Sequence, residues 1–179
     1  MKQLEIDQTW TLFLDRDGVI NKLLHGNYVK LVSEFEWLPD SKEAVINASK
    51  VFGRIIVVTN QRGISKGLMT AQQLSDVHSH LQSELPKNTI DAIYYCPFQD
   101  GHPSDCRKPG VGMPLKAKTH FPEIDFEKSI MVGDSLSDIQ MGNKLGMITV
   151  HVQSGHDYKN VPANYHVSDL ADFINSHIL

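Results

Sequence analysis

Cysteine is scarce in this chain: Cys96 and Cys106 are the only two among 179 residues. That is too few for the disulfide framework of a small secreted domain. Runs of lysine or arginine are also missing. Seventeen basic residues against 21 acidic ones give a net charge of −4, which is no footprint for nucleic acid. No apolar stretch approaches the ~20 residues needed to span a bilayer. The first seven residues, Met1 to Asp7, are mixed polar and unlike a secretory signal. A reduced, cytoplasmic setting is therefore the expected one, with no disulfide between Cys96 and Cys106. Repeats, low-complexity segments and linkers are absent, and no stretch between strands is long enough for a second domain. One domain over 1–179 is expected, and 41% hydrophobic residues suffice for its core. No heptad pattern or large apolar helix face asks for a partner, so a monomer is expected.

What is present starts at Trp10–Leu14, an apolar run suited to a buried strand. It ends in Asp15-Arg16-Asp17-Gly18. Asp15 and Asp17 alternate on extended backbone, so both point past the strand end. Two like charges that close repel, and a cation between them is the usual remedy. Hard oxygen ligands beside room for phosphate suggest Mg²⁺. The same four residues also suit a plain polar turn, and the stretch by itself decides nothing between the two.

Downstream the pattern alternates. A helix is expected from Pro39-Asp40-Ser41 through about Phe52, closed by Gly53. Residues 54–61 form a β-branched strand ending in Thr59-Asn60-Gln61, whose hydroxyl and amides can hold phosphate oxygens. Thr70 caps the next helix, with Gln73 completing a capping box, and Pro86 stops it. A strand over 91–95 leads into an irregular region, 96–112, that contains Arg107-Lys108-Pro109. A helix over about 114–120, a strand over 129–132, a helix closed by Gly146 and a strand over 147–152 follow. Residues 155–164 read as loop, and Ser168 as the cap of a last helix reaching Ile178. Alternating strands and helices imply an α/β fold, a doubly wound parallel sheet with helices on both faces. Such a sheet brings all strand C-termini to one edge. Asp15, Asp17, Thr59, Asn60, Arg107, Lys108, Asp134 and Asp138 then converge. Three carboxylates suit a Mg²⁺ that keeps some waters. A lysine and a hydroxyl suit transferring phosphoryl oxygens. One aspartate can act as nucleophile and a second as acid and base.

Asp15-x-Asp17-Gly18-Val19, Thr59-Asn60, Lys108-Pro109 and Gly133-Asp134-x-x-x-Asp138 resemble, in order, the four motifs of the haloacid dehalogenase superfamily of phosphatases. Asp15-Arg16-Asp17-Gly18-Val19-Ile20-Asn21, His25-Gly26-x-Tyr28-Val29, Tyr94-Tyr95-Cys96-Pro97 and Cys106-Arg107-Lys108-Pro109 narrow it. They resemble the subfamily of heptose-bisphosphate phosphatases and histidinol phosphatases. The resemblance implies a capless, Rossmann-like three-layer sandwich. It implies Asp15 as nucleophile and Mg²⁺ ligand, and Asp17 as general acid/base whose backbone carbonyl also binds the metal. Thr59 and Lys108 would stabilise the phosphoryl group, and Asp134 would be the third Mg²⁺ ligand. Asp138 would support the metal water or Lys108, Arg107 would recognise substrate, and the loop around His25–Tyr28, with His25 and Gly26, and the Asn60–Arg62 turn, with Asn60 and Gln61, would line the leaving-group side. The implied activity is hydrolysis of a small phosphate ester, most simply a sugar bisphosphate. Histidinol phosphate is the alternative substrate, a phosphotransferase differs only in its acceptor, and a catalytically silent phosphate-binding protein is the alternative of another class. The family's zinc loop is degenerate here: Phe98 and Ser104 stand at two of its four ligand positions. Cys96, His102 and Cys106 lack a fourth donor, so a loop without zinc, packed on Phe98, is expected. The remaining histidines (His78, His80, His120, His151, His156, His166, His177) read as surface or core residues.

Overall fold

A computed structural model describes residues 4–153 and 161–179. Six parallel strands form one sheet: β1 Thr11–Leu14, β2 Arg54–Asn60, β3 Ala92–Cys96, β4 Ser129–Gly133, β5 Ile148–Val152 and β6 Tyr165–Val167. Their spatial order is β3-β2-β1-β4-β5-β6. The chain runs outward from β1 to β3, then returns to β4 on the other side of β1. The crevice between the C-terminal ends of β1 and β4 is thus a topological switch point, where such sheets bind ligands.

β1 is buried at every residue, and the two-residue strand period divides it between two cores. Leu12 and Leu14 join a cluster with α1 (Ser41–Ala48), α2 (Ala71–Ser83) and α5 (Leu170–Phe173), through Val45, Leu81 and Phe173. Phe13 faces the other way, onto α3 (Gly112–His120) and α4 (Leu136–Lys144), through Met113, Ala117 and Met141. Ile56 and Val58 of β2 and Met131 of β4 belong to that second cluster, so the central strands are apolar on both faces. Among the described residues no helix is long and apolar enough to cross a membrane.

The capping box of α2 is formed: Gln73 N donates to Thr70 Oγ1 at 3.1 Å, and Thr70 N to Gln73 Oε1 at 2.8 Å. Gly146, at φ +75°, closes the turn after α4 as a left-handed residue should. Three features differ from expectation. α1 ends at Ala48, and the chain reaches Phe52 through turns bonded back to the Ala48 carbonyl. The last helix is capped by Asp169, whose Oδ1 accepts from Asp172 N at 2.7 Å, and it continues as a wider turn over Ile174–Ile178. β6 went unseen because its three residues give no period to read. Most of the expected loop over 155–164, up to residue 160 and including His156, lies outside the described residues.

Cys96 and Cys106 are joined by a disulfide, against expectation, with Cα atoms 5.4 Å apart. Composition points only to a compartment, and the path of the loop that brings the two sulfurs together has no signature in the sequence. The chain leaves β3 at Cys96, doubles back through 97–105 and returns beside its own start. That separation lies within the range a disulfide requires.

Candidate active site

The β1 ladder carries one residue past the strand, with Asp15 N donating to the Val132 carbonyl of β4 at 2.9 Å. The chain then turns tightly: Ile20 N and Asn21 N both donate to the Arg16 carbonyl, at 2.9 and 3.1 Å. Gly18 sits in this turn at φ +88°. A Cβ built there would lie 2.1 Å from Asp134 Oδ2. The glycine is what lets the β1 turn and the end of β4 approach, and so what puts Asp134 beside Asp15 and Asp17.

Lys108 arrives from the loop before α3 and is buried. Its ammonium lies 2.8 Å from Asp15 Oδ1 and 2.6 Å from Asp138 Oδ1. It also donates to the Val58 carbonyl at 2.9 Å. Asn60 fixes the loop: Lys108 N donates to its Oδ1 at 3.0 Å, and its Nδ2 donates to the Lys108 carbonyl at 3.2 Å. The other oxygen of Asp138 is taken by Ser135, whose hydroxyl and backbone N–H donate at 2.6 and 3.1 Å. Burial disfavours the charged ammonium, but Asp138 and Asp15 outweigh it and hold the Lys108 pKa above its usual value. Burial pushes Asp15 well above the usual carboxylate range; Asp138 and Asp134 add to this, and Lys108 opposes it.

Asp15, Asp134 and Asp138 each offer an oxygen within 4.8 Å of the others. Among the described residues these carboxylates gather around the Lys108 ammonium, and a divalent cation suits such a cluster. Asp138 is committed to Lys108 and Ser135. Asp15 and Asp134 are the carboxylates of the cluster left to fit a Mg²⁺ ion.

Asp17 is clamped. Arg16 Nη2 donates to both its oxygens at 2.9 Å, and Arg16 Nε to Oδ1 at 3.3 Å. Asn21 Nδ2 donates to Oδ1 and Gln61 Nε2 to Oδ2, each at 2.9 Å. Burial would raise the Asp17 pKa, but Arg16, Asn21 and Gln61 together bring it below the usual value. Arg16 is fully buried; its Nη1 lies 3.0 Å from Nε2 of His78 on α2. In the sequence Arg16 is one residue of a polar turn and His78 reads as an ordinary core or surface residue. Nothing local signals a pair separated by 62 positions. Gln61 is corrected: it is fully buried and braces Asp17 and Thr59 Oγ1, the latter at 2.9 Å, rather than lining the leaving-group side.

A cavity of about 410 Å³ opens over these groups, lined by Asp15, Asp17, Thr59, Lys108 and Asp134 and, toward its mouth, by His25, Tyr28, Asn60, Arg62 and Arg107. Gly26 lies in an adjoining cleft. Arg107 Nε donates to Asp100 Oδ1 at 2.5 Å. The residues of the degenerate zinc loop make other bonds. The two sulfurs bond each other. His102 stacks on Phe98 with ring centres 3.6 Å apart, and its Nδ1 accepts from Ser104 N at 3.0 Å.

A HAD-hydrolase-like family model matches residues 105–173. The D-glycero-alpha-D-manno-heptose-1,7-bisphosphate 7-phosphatase of Mycobacterium tuberculosis is 41% identical over 138 residues, covering 76% of this chain and 73% of that relative. The Chlorobaculum tepidum D-glycero-D-manno-heptose-1,7-bisphosphate 7-phosphatase is 33% identical over 187 residues, covering 94% of each. The crystal structure of D,D-heptose 1,7-bisphosphate phosphatase from B. bronchiseptica, complexed with magnesium and phosphate, superposes with a TM-score of 0.84. It is 28% identical and covers 93% of this chain and 97% of that one. The chain is a phosphatase and belongs to the haloacid dehalogenase-like hydrolases, in the family of the heptose-1,7-bisphosphate 7-phosphatases.

Proposed function

We propose that this enzyme removes the 7-phosphate of a D-glycero-D-manno-heptose 1,7-bisphosphate, with Mg²⁺ held by Asp15, Asp134 and the Asp17 carbonyl. The carrying observation is Lys108, held between Asp15 and Asp138 with Asp134 alongside at one sheet edge. The names of the relatives support the substrate.

Asp15 supplies the nucleophile. One of its oxygens is anchored by Lys108 and by Arg16 N, and the other attacks phosphorus to give an aspartyl phosphate. Mg²⁺, when bound, neutralises charge on Asp15 and on the phosphoryl oxygens. Lys108 and Thr59 stabilise the charge that develops on those oxygens. Asp17 donates the proton to the departing sugar oxygen, then takes one from the water that attacks the aspartyl phosphate. Its clamp of five donated hydrogen bonds favours the ionised form, which suits the second half. For the first half, an incoming phosphate dianion raises the Asp17 pKa by direct repulsion.

The test is Asp15→Asn together with a panel of phosphate esters ranked by kcat/KM. The panel holds both anomers of the heptose bisphosphate, histidinol phosphate and a generic aryl ester. Asp15→Asn is expected to lose at least 10³-fold on every ester while keeping the wild-type circular dichroism. Mg²⁺-dependent turnover by that variant would overturn the nucleophile. A preference for histidinol phosphate would overturn the substrate.

A further inference from the structure

The cavity adjoins an outer cleft of different charge. The inner part is floored by Asp15, Asp17 and Asp134. The outer cleft, about 320 Å³, shares Arg62 and Arg107 with it and adds Lys66; no acidic residue lines it among the described residues. An outer cleft of this charge suits an anion remote from the reacting phosphate.

The two arginines already share a carboxylate. Asp100, on the loop between β3 and α3, accepts from Arg107 Nε and lies 3.6 Å from Arg62 Nη1. The Asp100 side chain is 77% exposed, so it gains little from holding either guanidinium in water. Arg62 is aimed by Tyr28, whose hydroxyl oxygen accepts from Arg62 Nε at 3.1 Å. The next residue, Gly63, packs so closely on the Tyr28 ring that a Cβ would lie 2.9 Å from Cδ2. Arg107 Nη1 is buried with no hydrogen-bond partner. Two aimed guanidiniums, one with an idle buried donor, converge on a single exposed carboxylate. A phosphate has the charge and the spread of oxygens to replace that carboxylate and use the idle donor.

We propose that Arg62 acts with Arg107 to read the phosphate that the reaction leaves in place, and that Asp100 is the internal anion this phosphate displaces. The assignment of Arg62 and Asp100 rests on the reading that the substrate carries two phosphates.

The test compares heptose 1,7-bisphosphate with heptose 7-phosphate, which lose the same phosphate and differ only in the second one. The readout is the ratio of their kcat/KM values. The wild-type ratio is expected to favour the bisphosphate. Arg62→Gln is expected to lower that ratio at least tenfold through KM for the bisphosphate, and Arg62→Lys, which keeps the charge without the fork, to fall between. Asp100→Asn, which removes the competing charge, is expected to raise the ratio two- to fivefold. A wild-type preference that survives Arg62→Gln overturns the role of Arg62 and leaves the bisphosphate reading standing. A ratio unmoved by Asp100→Asn overturns the displacement. A wild type indifferent to the second phosphate overturns the bisphosphate reading and the inference with it.

Discussion

A single methyl group is enough to separate the acids of this site. At position 18 the backbone has φ +88°, and a Cβ would fall 2.1 Å from Asp134 Oδ2. Both the conformation and the space require glycine. Gly18→Ala must therefore push Asp134 away from Asp15 or open the turn that carries Asp17. A shift of ~1 Å at a positioned group costs on the order of 100-fold in rate. Gly18→Ala is expected to lose that much in kcat, with an increased Mg²⁺ requirement, while the core strands stay folded by circular dichroism. Wild-type kcat at low Mg²⁺ would count against the proposed arrangement. The acids, Thr59 and Lys108 were legible because each follows an apolar strand or sits in a short motif. The partners that tune them were not. Arg16 reads as a charged residue in a turn, and only the fold shows that it is buried between Asp17 and His78. Gln61 follows Thr59-Asn60 and so reads as lining the leaving-group side, yet its side chain is buried against Asp17 and Thr59.

At the scale of elements, that buried contact ties α2 to the turn after β1. The His78 ring can accept from Arg16 only while neutral. Burial first, and then the Arg16 charge, lower the His78 pKa to about 3, with Asp17 opposing. The unfolded chain takes up this proton near pH 6.5 and the folded one does not. The contribution is therefore fully present above pH 6.5 and is lost as pH falls toward 3, with a ceiling of ~5 kcal/mol. His151, lowered by burial, adds with the same sign. Between pH 6.5 and 5 Asp15, raised by burial, contributes with the opposite sign, so the part of the slope due to His78 is read as the difference between the wild type and a His78 variant. His78→Gln keeps an amide oxygen for Arg16 and is expected to flatten that slope in urea unfolding series. An unchanged slope would show that His78 protonates without disturbing the contact. Helices with a strong cap were legible to within a residue or two, as α2 was. β6 and the disulfide were not, since one is three residues long and the other depends on where a loop returns. That loop ends at Cys106, directly before Arg107 and Lys108, so the bridge bears on two of the site's cations.

For the molecule as a whole, a net charge of −4 conceals a concentrated deficit at one sheet edge. Among the described residues Asp17 pairs with Arg16, and Asp15 and Asp138 share Lys108 with Asp134 close by. The parallel order that produces this convergence was legible in the alternation of strands and helices, because crossover connections leave the strand ends no other edge. The metal-free protein carries the consequence in its stability. Asp15, raised by burial and by its acidic neighbours, binds its proton more tightly folded than unfolded. It therefore costs stability as pH rises above the unfolded value near 3.9. On the proposed assignment, Mg²⁺ held by Asp15 and Asp134 would reverse that cost by replacing the proton. At a hundredfold excess over its dissociation constant it adds ~2.7 kcal/mol, roughly 5–10 °C in Tm for a chain of this size. The increment is expected to be several degrees larger at pH 8 than at pH 5, measured by calorimetry with Mg²⁺ against EDTA. In Asp15→Asn, which has no proton to exchange, the pH dependence of the increment is expected to shrink. An increment equal at both pH values in the wild type would mean that the metal is not held by the carboxylate that Lys108 anchors.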